Sequence, residues 1–246
     1  MAALADRNGR RFRPGLGATL CTLAAVAIMV GLGTWQVERL AWKNALIERI
    51  EAGLNADPAP LPSRIDDPAR WDFRRVSVTG ELLHDHELNL AARSFNGRIG
   101  YHVVTPLRRD DGTTVLVNRG WVPTEARDPA TRPDGLPAGT VTVDGIARVP
   151  PGPGWMQPDN DSAANMWFWY DIPAMAASAG AGNPLPLVVE AGPAANPGGL
   201  PVGGQTNVTI SNNHLQYAVT WYGLALTLLA VYVASQWRRD PAAEPR

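Results

Sequence analysis

"GLGATLCTLAAVAIMVGLG", Gly15 to Gly33, decides how the rest of the chain is read. Its nineteen residues carry no charge, and at 1.5 Å per residue they make about 28 Å of helix, close to the hydrocarbon thickness of a bilayer. A second stretch, "AVTWYGLALTLLAVYVASQW" from Ala218 to Trp237, has the same character, and only "RRDPAAEPR" follows it. Between the two lies a long segment of alternating patterns and turn residues with no third apolar span. The expected fold is therefore a membrane protein. Two transmembrane helices flank a mainly β extracytoplasmic domain, an antiparallel sheet or small barrel with one short helix.

Charge beside the spans sets the orientation. Arg7, Arg10, Arg11 and Arg13 precede the first span, and Arg238 and Arg239 follow the second. Under the positive-inside rule both flanks are cytoplasmic. The middle then lies across the inner membrane, in a bacterium on the periplasmic side. A basic start, an apolar middle and the small-x-small "GLG" also fit a cleaved signal peptide. The length of the span, and the polar helical sequence directly after it, favour a retained helix. Net charge is −1 over 246 residues, and Lys43 is the one lysine, so a broad electrostatic grip on nucleic acid is excluded. The single cysteine, Cys21, rules out an internal disulfide and any cysteine-built zinc or iron–sulfur site.

The expected organisation follows in order. A cytoplasmic tail (1–14) leads to the first span (15–34) and a helix leaving the membrane (35–53). In "TWQVERLAWKNALIERIEAGL" Trp35, Arg39, Trp42 and Leu46 share one helical face. A proline-rich linker (54–70) enters the β domain (71–211); the second span with its outer entry (212–237) and a cytoplasmic tail (238–246) close the chain. Strands are expected in "FRRVSVTGEL", "HELNLAARS", "GYHVVTPLR", "TTVLVNRGWV", "GTVTVDGIARV", "NMWFWYDI", "LPLVVEA" and "TNVTI", with turns at "NGRIG", "RDDGT" and "DG". "DIPAMAASAG", capped by Asp171 with Pro173 early in it, reads as a short helix.

Motifs for catalysis are missing. No serine stands in a nucleophile elbow and no glycine-rich phosphate loop follows a strand. Asp159 and Asp161 fit turn caps, and "LHDHE" with His84 and His86 fits a solvated turn better than the start of a metal site. The nine tryptophans, mostly near the spans or strand ends, suit a domain resting on a bilayer or on another membrane protein.

One histidine stands apart. In "SNNHLQYAVTWYGLAL" His214 opens the second span, with Tyr217 and Trp221 at i+3 and i+7 and with Ser211, Asn212 and Asn213 as capping residues. Two readings stay open on these residues: a polar contact at a helix end, or an imidazole that ligates haem with aromatic rings beside it.

The blocks "GLGTWQVERLAWKNALI", "RRVSVTGELLHDHELNLAARSFNGRIGYHVVTPL", "VLVNRGWVP", "PPGPGWMQPDNDSAANMWFWYDIPAMA" and "NNHLQYAVTWYGLAL" run from the first span to the second. In this order they resemble the surfeit-locus-one proteins, membrane-anchored assembly factors for haem–copper cytochrome c oxidase. The resemblance implies a non-enzymatic role in making or inserting the haem a centres of the oxidase's large catalytic subunit. The haem a synthesis machinery is a possible second partner, and the bilayer a third. It also implies that His214 is a haem a iron ligand, with Tyr217 and Trp221 packing beside the ring. Among Arg39, Arg93, Arg98 and Arg119, which can pair propionates, Arg119 in "NRGW" is preferred. The alternative is a membrane-anchored scaffold that steadies the oxidase subunit without binding haem itself.

Overall fold

The computed structural model describes residues 10–12, 14–206, 208 and 210–239. They divide into two units, one built from the chain's two end segments (up to Glu48 and from Thr209) and one from Arg49–Val208.

In the end-segment unit the apolar stretches are helices, α1 (Leu16–Asn55) and α3 (His214–Ser235). Both are long and apolar enough to cross a membrane. The expected first span and the helix beyond it are one uninterrupted element, because no proline or helix-breaking pair stands between Gly33 and Arg39. The short strands β1 (Arg10–Phe12) and β10 (Trp237–Arg239) pair antiparallel, joining Arg10 to Arg239 and Phe12 to Trp237. Small residues and hydroxyls make the seam between the helices. Gly33, Ala218 and Ala225 are buried in it. A Cβ on Gly33 would sit 2.8 Å from the Tyr222 ring, so glycine is what admits that ring. Thr19 Oγ1 meets Tyr232 Oη at 2.6 Å, Thr34 Oγ1 meets Tyr222 Oη at 3.2 Å, and Gly15 N–H donates to Gln236 Oε1 at 3.2 Å. Close backbones with polar ties are how helices associate where apolar burial gives no drive. Leu20, Leu23, Ile28, Val219, Leu226 and Val231 stay exposed.

The second unit is a small barrel. Its strands are β2 (Ala59–Pro60), β3 (Arg74–Leu82), β4 (Leu88–Phe95), β5 (Arg98–Arg108), β6 (Thr114–Pro123), β7 (Thr140–Arg148), β8 (Met166–Trp167) and β9 (Pro184–Ala191), with helix α2 (Ile172–Ser178) between the last two. The sheet order is β2-β3-β7-β9-β6-β5-β4-β8, and β3 also pairs with β5. That extra pairing, Glu81 to Arg108 and Leu82 to Leu107, closes five strands into a ring. β5 is long enough to offer one edge to β4 along its first half and to β3 at its end. The sheet departs from a purely antiparallel one: β9 runs parallel to β6, β2 to β3 and β8 to β4. The linker is likewise more than a linker, since β2 joins the sheet and Leu61 is buried in the core.

Alternation explains the core. Val76, Val78 and Leu82, Val115 and Val117, and Leu185, Leu187 and Val189 fill the interior. The opposite faces of β6 and β9, through Leu116 and Val188, pack with Leu90, Trp167 and Met175 under α2 and β8. β6 is buried on both faces for this reason, at all ten of its positions. α2 starts where the sequence places it, with Asp171 Oδ1 accepting from Ala174 N–H at 3.1 Å. Of "NMWFWYDI" only Met166–Trp167 is strand. The expected strand "TNVTI" lies partly outside the described residues, and its other positions are not strand.

Candidate functional site

α3 begins at His214, with Asn213 in the N-cap position but donating and accepting no side-chain cap bond. Tyr217 and Trp221 follow one and two turns later on the same helix. His214 shares a helix stripe with Ala218 and Ala225, the stripe packed on α1. Tyr217 is 55 % exposed and Trp221 half-buried beside that seam.

The partner of His214 is Gln36, 178 positions away in sequence and 9 % exposed. His214 Nδ1 lies 2.7 Å from Gln36 Oε1. An amide oxygen only accepts, so Nδ1 carries the proton and donates. A neutral ring then holds its lone pair on Nε2, which has no hydrogen-bond partner among the described residues. A second tie, Asn212 Nδ2–H donating to Asn44 Oδ1 at 2.8 Å, lies beside it. A ring nitrogen free to accept, its opposite N–H held by an oxygen, is the donor arrangement metal-bound imidazoles use. In its donor chemistry His214 suits a metal-ligating role. Helical periodicity does not mark Gln36 within "GTWQ". A glutamine just after an uncharged span is the signal that points to it.

Arg119 is elsewhere, in the interior of the barrel unit. The register of β5 with β6 runs from Val103–Gly120 to Val104–Asn118, so Arg119 is the extra residue of a β-bulge. The bulge turns its side chain inward to 3 % exposure. One guanidinium nitrogen donates to Glu87 Oε1 at 3.2 Å and approaches His84 Nδ1 at 3.4 Å; the other donates to the Gly135 carbonyl. Arg132 donates to both Glu87 oxygens, and its Nε–H to the Ala126 carbonyl at 3.1 Å. Burial opposes the charge of Glu87, but the contact with His84 and the charges of Arg132 and Arg119 outweigh it and hold the carboxyl below its usual range. This is an internal ion cluster.

His84 belongs to the same cluster rather than to a solvated turn. Its Nε2–H donates to the Pro137 carbonyl at 2.9 Å, and its Nδ1 faces both Arg119, at 3.4 Å, and Glu87 Oε1, at 3.5 Å. His86 is exposed on the 3-10 turn His84–His86. A polar cavity of about 400 Å³ adjoins it, lined by His84, Asp85, Glu87 and Asn89 among others. No group of three metal-ligating side chains forms there or elsewhere among the described residues. Arg93 donates to the Phe168 carbonyl at 3.3 Å, Arg98 pairs with Glu125 at 2.6 Å, and the Arg39 guanidinium lies 4.0 Å over the Trp42 ring.

His102 is a further polar group, half-buried in the barrel unit. Asn118 Nδ2 donates to its Nδ1 at 3.1 Å and to Tyr170 Oη at 2.8 Å. Burial, with the charge of Arg93, pushes its pKa down to about 4 from the ordinary 6.5. Between those values the unfolded chain takes up a proton that folded His102 refuses. Stability is therefore full above about pH 6.5 and falls as the pH drops to about 4, by about 3 kcal/mol in all. Denaturant midpoints of the full chain in detergent, measured from pH 7 to 4, should show this limb, and His102→Gln should flatten it. An unchanged slope in the variant would assign the acid sensitivity to other groups.

Fold and site define a class: a small closed β-barrel domain carried in the sequence between two paired apolar helices, with a histidine presented at the start of the second. The profile of the SURF1 family matches residues 23–226. A SURF1-like protein of Monosiga brevicollis is 39 % identical over 245 residues, covering 95 % of this chain and 90 % of its own. Surfeit locus protein 1 of Mus musculus is 37 % identical over 230 residues (87 % and 74 %), and that of Homo sapiens 38 % over 211 (79 % and 67 %). The chain belongs to the SURF1 family.

Proposed function

We propose that this protein is an assembly factor for haem–copper cytochrome c oxidase, binding haem a at the outer membrane boundary and assisting its insertion into the large catalytic subunit. The observation that carries the reading is the bond from His214 Nδ1–H to Gln36 Oε1, which leaves Nε2 as a lone pair for iron. α1 and α3 cross the inner membrane, with both termini cytoplasmic and the barrel domain periplasmic. Two features support a membrane setting: the apolar faces of both helices are almost wholly uncovered, and hydroxyl ties join the pair. The haem's apolar tail belongs in lipid, so a carrier at the boundary keeps it from water. Tyr217 and Trp221 flank His214 and offer ring surface; Arg39, three residues beyond Gln36 and exposed, is a better propionate partner than Arg119, whose guanidinium already has partners inside the barrel domain. When bound, haem a supplies redox and oxygen chemistry that is used at its destination. The chain's own part is binding and hand-over.

The scaffold reading has its own observation. Trp155 and Met156, at the tip of "PPGPGWMQPD", are 90 % and 74 % exposed, a surface a partner subunit can cover. One experiment separates the two. Co-expressed with the enzymes that make haem a and then purified, the wild type should show a haem a spectrum that His214→Ala abolishes or shifts. A colourless wild type, or an unchanged spectrum in the variant, would hand the function to the scaffold.

A further inference from the structure

We infer that Gln36 is the positioning residue for His214: it fixes the ring's tautomer and orientation so that Nε2, and not Nδ1, meets the iron. This rests on the haem reading above. A free neutral imidazole has one N–H and two nearly equivalent places for it, and a ring that turns freely offers either nitrogen. Here the choice is made by an oxygen 2.7 Å from Nδ1, on a residue that is itself only 9 % exposed. The placement of that oxygen is built into the seam. Gly33, one turn before Gln36, lets the Tyr222 ring lie against the α1 backbone, and Thr34 bonds the same tyrosine's hydroxyl. Asn212, two residues before α3, donates to Asn44 of α1 on the far side of the histidine. Together these contacts set the register in which Gln36 faces His214.

The choice of an amide has a consequence for release. A carboxylate on Nδ1–H pulls the imidazole toward imidazolate and makes Nε2 a stronger donor to iron; a neutral amide orients the ring without that push. Gln36 thus gives a ligand that is defined in geometry and moderate in basicity, as a carrier that must give up its cargo requires.

The test uses the full chain in detergent, labelled with 15N-histidine, with His214 assigned by its absence in His214→Ala. In the haem-free protein His214 should be the Nδ1–H tautomer. Gln36→Leu should turn it into a mixture and weaken binding of added iron protoporphyrin IX by about tenfold to a hundredfold. Gln36→Glu should restore both the tautomer and the affinity, slow haem release and move the iron's reduction potential to a more negative value. That rescue separates positioning from general packing, which leucine and glutamate do not distinguish in this way. A His214 tautomer unchanged in Gln36→Leu, or equal affinity in all three proteins, would overturn the inference. Should the wild type take up no haem while its tautomer still depends on residue 36, the haem reading fails and the control of the ring by Gln36 stands.

Discussion

Replacing Glu87 by glutamine lowers the unfolding free energy of the full chain by about 3 to 5 kcal/mol, a large share of what a domain of this size holds. The substitution keeps the shape of the side chain and removes only its charge. What it leaves is two guanidiniums, Arg119 and Arg132, each 3 % exposed and without a counter-charge between them. Desolvated cations without a partner are costly, whereas removing the whole cluster need not be. A triple variant, Glu87→Met with Arg119→Met and Arg132→Leu, should accordingly be far milder than Glu87→Gln alone. Acid does the same work as the substitution. Because the folded pKa of Glu87 is depressed below its usual 4.5, its contribution is present above that value and is lost as the pH falls through the folded value. That loss sets in below pH 4.5, at the foot of the window in which His102 acts, so the wild type should go on losing stability into stronger acid where Glu87→Gln has levelled off. Denaturant midpoints in detergent measure all three quantities. A Glu87→Gln protein within about 1 kcal/mol of wild type would mean that the arginines reach solvent and the cluster is not closed.

How far the sequence foretold this arrangement depends on whether a feature is local. The two spans are written in composition, the strands of the barrel in alternation, and α2 in an aspartate cap with a proline behind it, each within a few adjacent residues. Pairings between distant segments left no such trace. Nothing in "RRVSVTGEL" announces that its end will close a ring with Arg108, because alternation tells which face is buried and not which strand is the neighbour. The same limit hid Gln36. Helical spacing places Tyr217 and Trp221 on the helix that His214 opens, but the residue that bonds the ring stands on the other helix, and a one-helix periodicity contains no information about it. Arg119 was visible in "NRGW" as an unusual residue between strand and tryptophan. Its expected role as a propionate partner rested on residue type alone. The bulge turns that side chain into the barrel domain, and the partner that holds it, Glu87, lies 32 positions away.

That bulge is the subject of the second large effect: Gly120→Ala should cost about 3 kcal/mol or more. Gly120 has φ +122°, a conformation that side chains rarely adopt. Its amide donates to Asn118 Oδ1 at 3.0 Å, which closes the bulge around Arg119. A Cβ placed on it would lie 2.0 Å from the carbonyl oxygen of Val202, whose backbone is bonded to Trp121 in both directions, at 2.9 and 2.8 Å. Backbone atoms fixed by two hydrogen bonds cannot retreat as a flexible side chain can, so the strain of the dihedral and the overlap add. Gly112 supplies the comparison. It too has positive φ, +79°, but a Cβ there meets nothing within 4 Å. Gly112→Ala should therefore show the conformational cost by itself, about 1 to 2 kcal/mol. The difference between the two variants reads the overlap with Val202 together with the less accessible φ of Gly120. Because the bulge also aims Arg119 at Glu87, Gly120→Ala combined with Glu87→Gln should destabilise by less than the sum of the two, each having already loosened the same cluster. Equal midpoints for Gly120→Ala and Gly112→Ala, or strict additivity with Glu87→Gln, would show that Val202 yields and that Arg119 holds its place without the glycine.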